Sequence, residues 1–314
     1  MRISGFSMGR NVSKLYYPIC ESIMSALPLV DEFVFALGRG DEDDNTRELI
    51  VSIDSPKIRI IDTEWDLEAF PRGMEHAHQT DIAKENCSGD WLLYLQADEV
   101  LHEEDHPQIR RRCEELLNNR DVEGLLFDYL HFWGDYHHFQ KSHGWYKHEI
   151  RIVRNDPEIH SFESAQSFRR IPDFDGRSYR RHEGTHKLRV ARAGARIFHY
   201  GWVRPPHYMK TKIRHLNTNH RGSEEANRLD ATTLPEFDYG PLDRLALFND
   251  THPAVMRDKI ASFDWGEKLQ HSGRPNPLRA PHKHEKTKYR IVTALEQMLG
   301  GREIGGHKNY ELIK

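Results

Sequence analysis

In Ser88-Gly89-Asp90-Trp91-Leu92-Leu93-Tyr94-Leu95-Gln96-Ala97-Asp98-Glu99, a turn of small and polar residues leads into an apolar run that ends in two carboxylates. A run this short, bounded by polar residues, reads as a buried strand. In open α/β sheets ligands sit beyond the carboxyl ends of strands. Asp98 and Glu99 are therefore candidate hard oxygen ligands for Mg²⁺ or Mn²⁺, the cations that bridge diphosphates. The competing reading is that they cap the helix that follows, where acidic residues favour the positive end of the dipole.

Outward from this segment, further short apolar runs predict strands over 2–6, 32–37 and 57–62, beside 91–96. After Asn11, a good N-cap residue, Val12, Tyr16, Ile19 and Ile23 recur at helical spacing, and Pro18 suits a first turn. A second helix is expected over 72–86. Strand–helix–strand alternation predicts a mainly parallel twisted sheet flanked by helices. Beyond residue 100 the pattern gives a helix over 104–118 and strands over 124–131, 149–153 and 195–200. From Pro205 onward the signals are helical, with Met209, Ile213 and Leu216 on one face and Gly300-Gly301 as a final stop. The expected organisation is an α/β body over 1–204, divided near residue 100, and a mainly helical extension over 205–314.

Composition removes several classes. The 314 residues carry 45 Lys and Arg against 49 Asp and Glu, a net charge of −4 that argues against nucleic acid as a partner. Three cysteines form neither a disulfide framework nor a CxxC clamp, which fits a reducing cytoplasm. No run approaches the roughly 18 apolar residues of a membrane span, and Met1-Arg2-Ile3-Ser4-Gly5 reads as a short strand, not a signal peptide. Lys283, Lys286 and Lys288 offer a peripheral contact with the anionic inner face of a membrane, although such runs are usually a solvated face. The 21 histidines are conspicuous, but no zinc-binding spacing accompanies them. The stretch 131–145 is dense in aromatic and histidine side chains, fitting either a sugar-acceptor subsite or a cover over a core edge.

The segment 88–99 resembles the "(T/S)GDW-hydrophobic-DADE" stretch of family 2 glycosyltransferases with the GT-A fold. Other pieces follow in the family's order. Residues 1–11 look like the first nucleotide-binding strand and turn, and Val30-Asp31-Glu32-Phe33-Val34-Phe35 like the second strand. Trp145 with Arg151-Ile152-Val153-Arg154 resembles the "W…RLFR" strand, and Ile197-Phe198-His199-Tyr200-Gly201 the late "hydrophobic-HYG" element. The resemblance covers roughly 1–204. It implies transfer of a sugar from a nucleotide-diphosphate-sugar donor to a hydroxyl of a glycan or lipid-linked saccharide, with inversion and with help from Mn²⁺ or Mg²⁺. Asp98 and His199 would hold the metal. Ser7, Arg10, Asn11 and Gln96 would line the nucleotide and its diphosphate.

The departures from the family pattern are specific. Gln96 stands where the first Asp of the DxD motif is expected, Thr80-Asp81 where an Arg-Asn pair is usual, and the acids after the second strand are shifted to 41–44. These changes also suit a sugar- or nucleotide-binding relative without activity. An inverting transfer needs a general base for the acceptor hydroxyl. Glu163 sits near the family's His-Glu position without the adjacent His, and His182-Glu183 offers the dipeptide about twenty residues later; Glu163 is preferred. A rival reading takes Gly5-Phe6-Ser7-Met8-Gly9 as a hydrolase nucleophile elbow, but residue 7 leaves no room for the preceding strands and oxyanion loop. Gly38-x-Gly40 lacks the third glycine of a dinucleotide fingerprint.

Overall fold

In a computed structural model that describes residues 1–306 and 308–313, the first four long strands lie side by side and parallel. The chain runs β1 (Ile3–Gly9), α1 (Ile19–Ala26), β2 (Glu32–Gly38), α2 (Thr46–Val51), β3 (Ile58–Thr63), α3 (Met74–Glu85) and β4 (Trp91–Tyr94). The strand order is β3-β2-β1-β4, with Phe6 registered between Val34 and Tyr94. Helices cover both faces, so β2 buries Phe33, Val34, Phe35 and Ala36 in succession instead of alternating. Sequential strands in this half diverge from β1 towards both sides, and that point of divergence opens a crevice at their carboxyl ends.

The next elements are β5 (Glu99–Leu101), α4 (His106–Leu116), β6 (Gly124–Trp133), β7 (His138–Phe139), β8 (His148–Arg154), β9 (Ile159–Phe162), β10 (Ser167–Arg170) and β11 (His186–Trp202). β8 inserts antiparallel between β4 and β6, and β11 runs parallel to β6 while pairing antiparallel with β5. The strand expected over 195–200 is the second half of β11. Its first half was hidden by alternation with exposed basic residues and by a register shift between Arg192 and Arg196, where Gly194 takes φ +67°. Such a bulge needs a residue free of Cβ strain. The fold is of the α/β class that the sequence predicts, a large sheet whose first four strands are parallel and flanked by helices.

Residues 205–313 contribute α5 (Pro206–Arg221), α6 (Ser223–Ala231), β12 (Ala246–Leu247), α7 (Arg257–Ala261), α8 (Thr287–Met298) and β13 (Tyr310–Leu312), joined by long irregular stretches. They return to the sheet: β12 pairs with β7 and β13 with β11. Phe132, Trp133, Tyr136 and Phe139 pack with Tyr239, Leu242, Met256 and Trp265 in a core of their own. Most of the aromatic stretch is thus the cover over a core edge. Several histidines act as neutral pins in this layer. His252 bonds the Tyr136 carbonyl through Nε2 and the Tyr200 hydroxyl through Nδ1, both at 2.8 Å, and His284 Nδ1 meets Gln140 at 3.0 Å. No helix among the described residues is long and apolar enough to cross a membrane.

Candidate functional site

A cleft of about 590 Å³ opens at the carboxyl ends of β1 and β4. Five of the residues singled out from the sequence line it: Arg10, Asn11, Gln96, Asp98 and His199. The turn that carries Asp98 is set by three strands at once. β4 ends at Tyr94, Leu95 N–H donates to the Phe6 carbonyl, and Glu99 N–H closes the turn on the Gln96 carbonyl at 3.0 Å. β5 then pairs with β11 so that Glu99 faces His199, and Tyr200 N–H donates to the Asp98 carbonyl at 2.8 Å. Neighbours in this pairing, Asp98 and His199 meet across the cleft wall, Oδ2 to Nε2, at 3.7 Å.

Gly201 makes that approach possible. A Cβ at this position would sit 2.6 Å from Asp98 Oδ2 and overlap the His199 ring. The ring is oriented from behind by His131, whose Nε2–H donates to the Tyr146 carbonyl at 3.0 Å. That leaves His131 Nδ1 to accept from His199 Nδ1–H at 3.1 Å, an assignment forced by a carbonyl that can only accept. Burial, and then the nearby His199, hold His131 well below the usual imidazole range, so it stays neutral. His199 Nε2 is thereby the nitrogen left for a ligand, the arrangement in which a metal-binding histidine is usually held.

The acidic pair of the opening motif divides its work. Glu99 is not a metal ligand: it is fully buried and forms a two-point ion pair with Arg151 of β8, with both N···O distances 2.6 Å, and it also accepts from Tyr129. Asp98 is the one that faces the cleft. Burial alone would raise its pKa, but Lys212, His199 and Arg204 outweigh that and hold the carboxyl well below the usual range.

Lys212 is the residue that sequence reasoning missed. It projects from α5 and is almost fully buried, with its ammonium 3.1 Å from Asp98 Oδ2 and 2.7 Å from the Gly201 carbonyl. Burial, then Arg204, push its pKa down to about 8. The available signal was a lysine on the apolar face that Met209 and Leu216 mark out. Other donors in the cleft wall find no partner among the described residues: Arg10 Nε, Trp65 Nε1 and Trp145 Nε1. Buried donors are normally satisfied, so each of these is free to donate to a ligand in the cleft.

The remaining candidates are placed as follows. Asn11, at φ +56°, turns the chain after β1, and its Oδ1 accepts from Asp41 N–H at 2.8 Å. Gln96 donates its amide to the Ala165 carbonyl at 3.0 Å, tying down the loop between β9 and β10, from which Ser164 and Gln166 reach the cleft. Glu163 begins that loop but does not line the cleft; its carboxylate lies 3.6 Å from His182, in the segment between β10 and β11. Asp81, in place of the usual Asn, holds β9 by accepting from Ser161 N–H and meeting His160 Nδ1, both at 2.8 Å. Ser7 is turned into the sheet, fully buried, with its hydroxyl unbonded, and is not part of the cleft wall. No hydrogen bond joins it to His199 or Asp98, as a serine nucleophile with its base would require.

A divalent cation would find two protein donors here, Asp98 Oδ2 and His199 Nε2. Among the described residues there is no group of three or more His, Cys, Asp or Glu that could hold a metal by itself. Two donors fit a cation that takes its other ligands from water and from substrate phosphates, as Mg²⁺ commonly does.

No protein-family model and no curated protein matches the sequence. Among solved structures, S. aureus TarS (residues 1–349) is 13% identical, with a TM-score of 0.37 over 74% of this chain and 70% of that one. The chain spans 42% of a longer TarS structure, at 12% identity and a TM-score of 0.37 over 73% of this chain. Glucosyl-3-phosphoglycerate synthase from Mycobacterium tuberculosis, in complex with Mn²⁺, UDP and phosphoglyceric acid, is 19% identical with a TM-score of 0.28, over 42% of this chain and 43% of that one. Likeness at this level says nothing about what this chain acts on.

Proposed function

We propose that the protein is a glycosyltransferase that takes its sugar from a nucleotide-diphosphate-sugar and delivers it to a hydroxyl acceptor with inversion. The observation that carries this reading is the meeting of Asp98, His199 and Lys212 at the carboxyl end of β4, inside a cleft large enough for a nucleotide and a sugar. Departure of a nucleoside diphosphate builds negative charge, and fixed positive groups stabilise that charge most when water is excluded. Lys212 and Arg10 are such groups. A divalent cation held by Asp98 and His199 would supply Lewis-acid neutralisation of the same oxygens, in competition with Lys212 for Asp98 Oδ2. Trp65 and His76, beside Arg10, suit the base and ribose end; Trp145, Trp202 and Tyr146 suit the sugar and acceptor end.

In the step itself, the acceptor oxygen forms a bond to the anomeric carbon while the bond from that carbon to the diphosphate oxygen breaks. The hydroxyl proton passes to a general base; Glu163, with His182 beside it, takes that role only if the loop that carries Ser164 and Gln166 into the cleft turns its carboxylate to within hydrogen-bond reach of the acceptor. Incubation with a panel of nucleotide-sugars, followed by chromatography of free nucleoside diphosphate, tests the reading. Release of one diphosphate above the protein-free rate supports it. Tight nucleotide binding without release over hours would instead make the chain a non-catalytic binding relative.

A further inference from the structure

The charge balance at Asp98 is already met by the protein. Lys212 reaches the same Oδ2 that a divalent cation would use, and the two side chains are almost completely removed from water. Lysine is rarely buried unless paired, and here it is held at two points, by Asp98 Oδ2 and by the Gly201 carbonyl. An ammonium has three N–H donors. Two are used, which leaves the third for a ligand in the cleft that Lys212 lines. The surroundings are short of negative charge as well. Gln96 replaces one carboxylate of the motif, and fully buried Arg204, whose charge acts on both Asp98 and Lys212, has Nε and Nη2 without partners among the described residues. A metal joining Asp98 would therefore bring a double positive charge against an ammonium that cannot move into solvent.

We propose that Lys212 is a built-in counter-ion at the diphosphate subsite: it supplies the positive charge that a divalent cation would otherwise bring, so the protein binds a nucleoside diphosphate without metal and binds metal weakly while Lys212 is in place. This rests on the reading of the cleft as a nucleotide-diphosphate site. It assigns a diphosphate-binding role to a residue of α5, outside the α/β body. Lys212→Met removes the ammonium and leaves Asp98 and His199 facing a vacated volume, a better cation site. Lys212→Arg keeps the charge.

Two measurements on the whole chain test this. Electron paramagnetic resonance of free Mn²⁺ gives metal affinity without nucleotide, and calorimetry gives UDP and GDP affinity in EDTA or in Mn²⁺. The expected results are nucleotide binding by the wild type in EDTA, at least a tenfold gain in Mn²⁺ affinity in Lys212→Met, and at least a tenfold loss of its nucleotide affinity in EDTA that Mn²⁺ restores. Lys212→Arg should keep the wild-type pattern. Nucleotide binding by the wild type that vanishes in EDTA overturns the proposal without any variant. So does a folded Lys212→Met with unchanged Mn²⁺ affinity. If Lys212→Met gains Mn²⁺ affinity but neither nucleotide binds the wild type under any condition, the diphosphate role is overturned together with the glycosyltransferase reading.

Discussion

Replacing Glu99 with glutamine removes one charge from a pair that has no solvent to compensate it. The side chains of Glu99 and Arg151 are both 0% exposed, and they meet through two N···O contacts of 2.6 Å. In Glu99→Gln the guanidinium keeps its bonds to the Ile150 and Gln166 carbonyls but loses its counter-charge. Breaking a buried pair from one side costs about 3–5 kcal/mol, because an uncompensated charge stays behind. Unfolding entropy of about 2.1 cal/mol/K per residue, over 314 residues, converts this to a fall in Tm of about 5–8 °C. The variant is read by calorimetric and denaturant unfolding beside Glu99→Leu/Arg151→Met, which removes both charges and should lose less than the single change. Nucleotide binding should weaken too, because the Gln96 backbone N–H donates to Glu99 Oε2 and the turn carrying Asp98 loosens without it. A Glu99→Gln protein with Tm within about 1 °C of wild type would refute the reasoning, since a cost of 3 kcal/mol cannot leave so small a shift.

Gly201→Ala should leave the protein folded at a cost of about 1–3 kcal/mol, the usual range for overpacking. It should lower nucleotide affinity or turnover by roughly 10²-fold through displacement of Asp98 and His199; calorimetry and turnover measured together check both effects. Stability should also fall as pH drops. Burial lowers the pKa of His252 and of His284 to about 4, against 6.5 for a free imidazole, so below pH 6.5 the unfolded chain binds protons that the folded one does not. Each contributes about 1.4 kcal/mol per pH unit between 6.5 and 4, and nothing above that window. Denaturant unfolding across pH 4.5–7.5 should show the slope, and His284→Asn should flatten it; an unchanged slope in that variant contradicts the pinning role.

Asp98 was legible because its signal is local: a short apolar strand that ends in a carboxylate already implies a place at the mouth of the sheet. The same signal could not separate Asp98 from Glu99. Their roles diverge only because β8 brings Arg151 beside one, and β11 and α5 bring His199 and Lys212 beside the other. Lys212 lies 114 residues from Asp98 in sequence, and no local pattern encodes a pairing at that distance. The aromatic stretch 131–145 was ambiguous for a related reason. Its composition suits a sugar surface and a core equally, and the cover that decides the matter comes from residues beyond 230. The histidine-rich composition, which carried no zinc-binding spacing, is explained in part by packing, since His252, His282 and His284 each make side-chain hydrogen bonds within the carboxyl-terminal layer.

Asp98 bears most directly on the central claim. The measurement is the rate of nucleoside diphosphate release by Asp98→Asn from the nucleotide-sugar that the wild type turns over, with circular dichroism and Tm taken on the same samples. The account predicts a folded protein whose rate is lower by roughly 10²–10³-fold, the size of effect seen when one preorganised charge-stabilising group is removed from a site. A folded Asp98→Asn protein that releases diphosphate at the wild-type rate would contradict it.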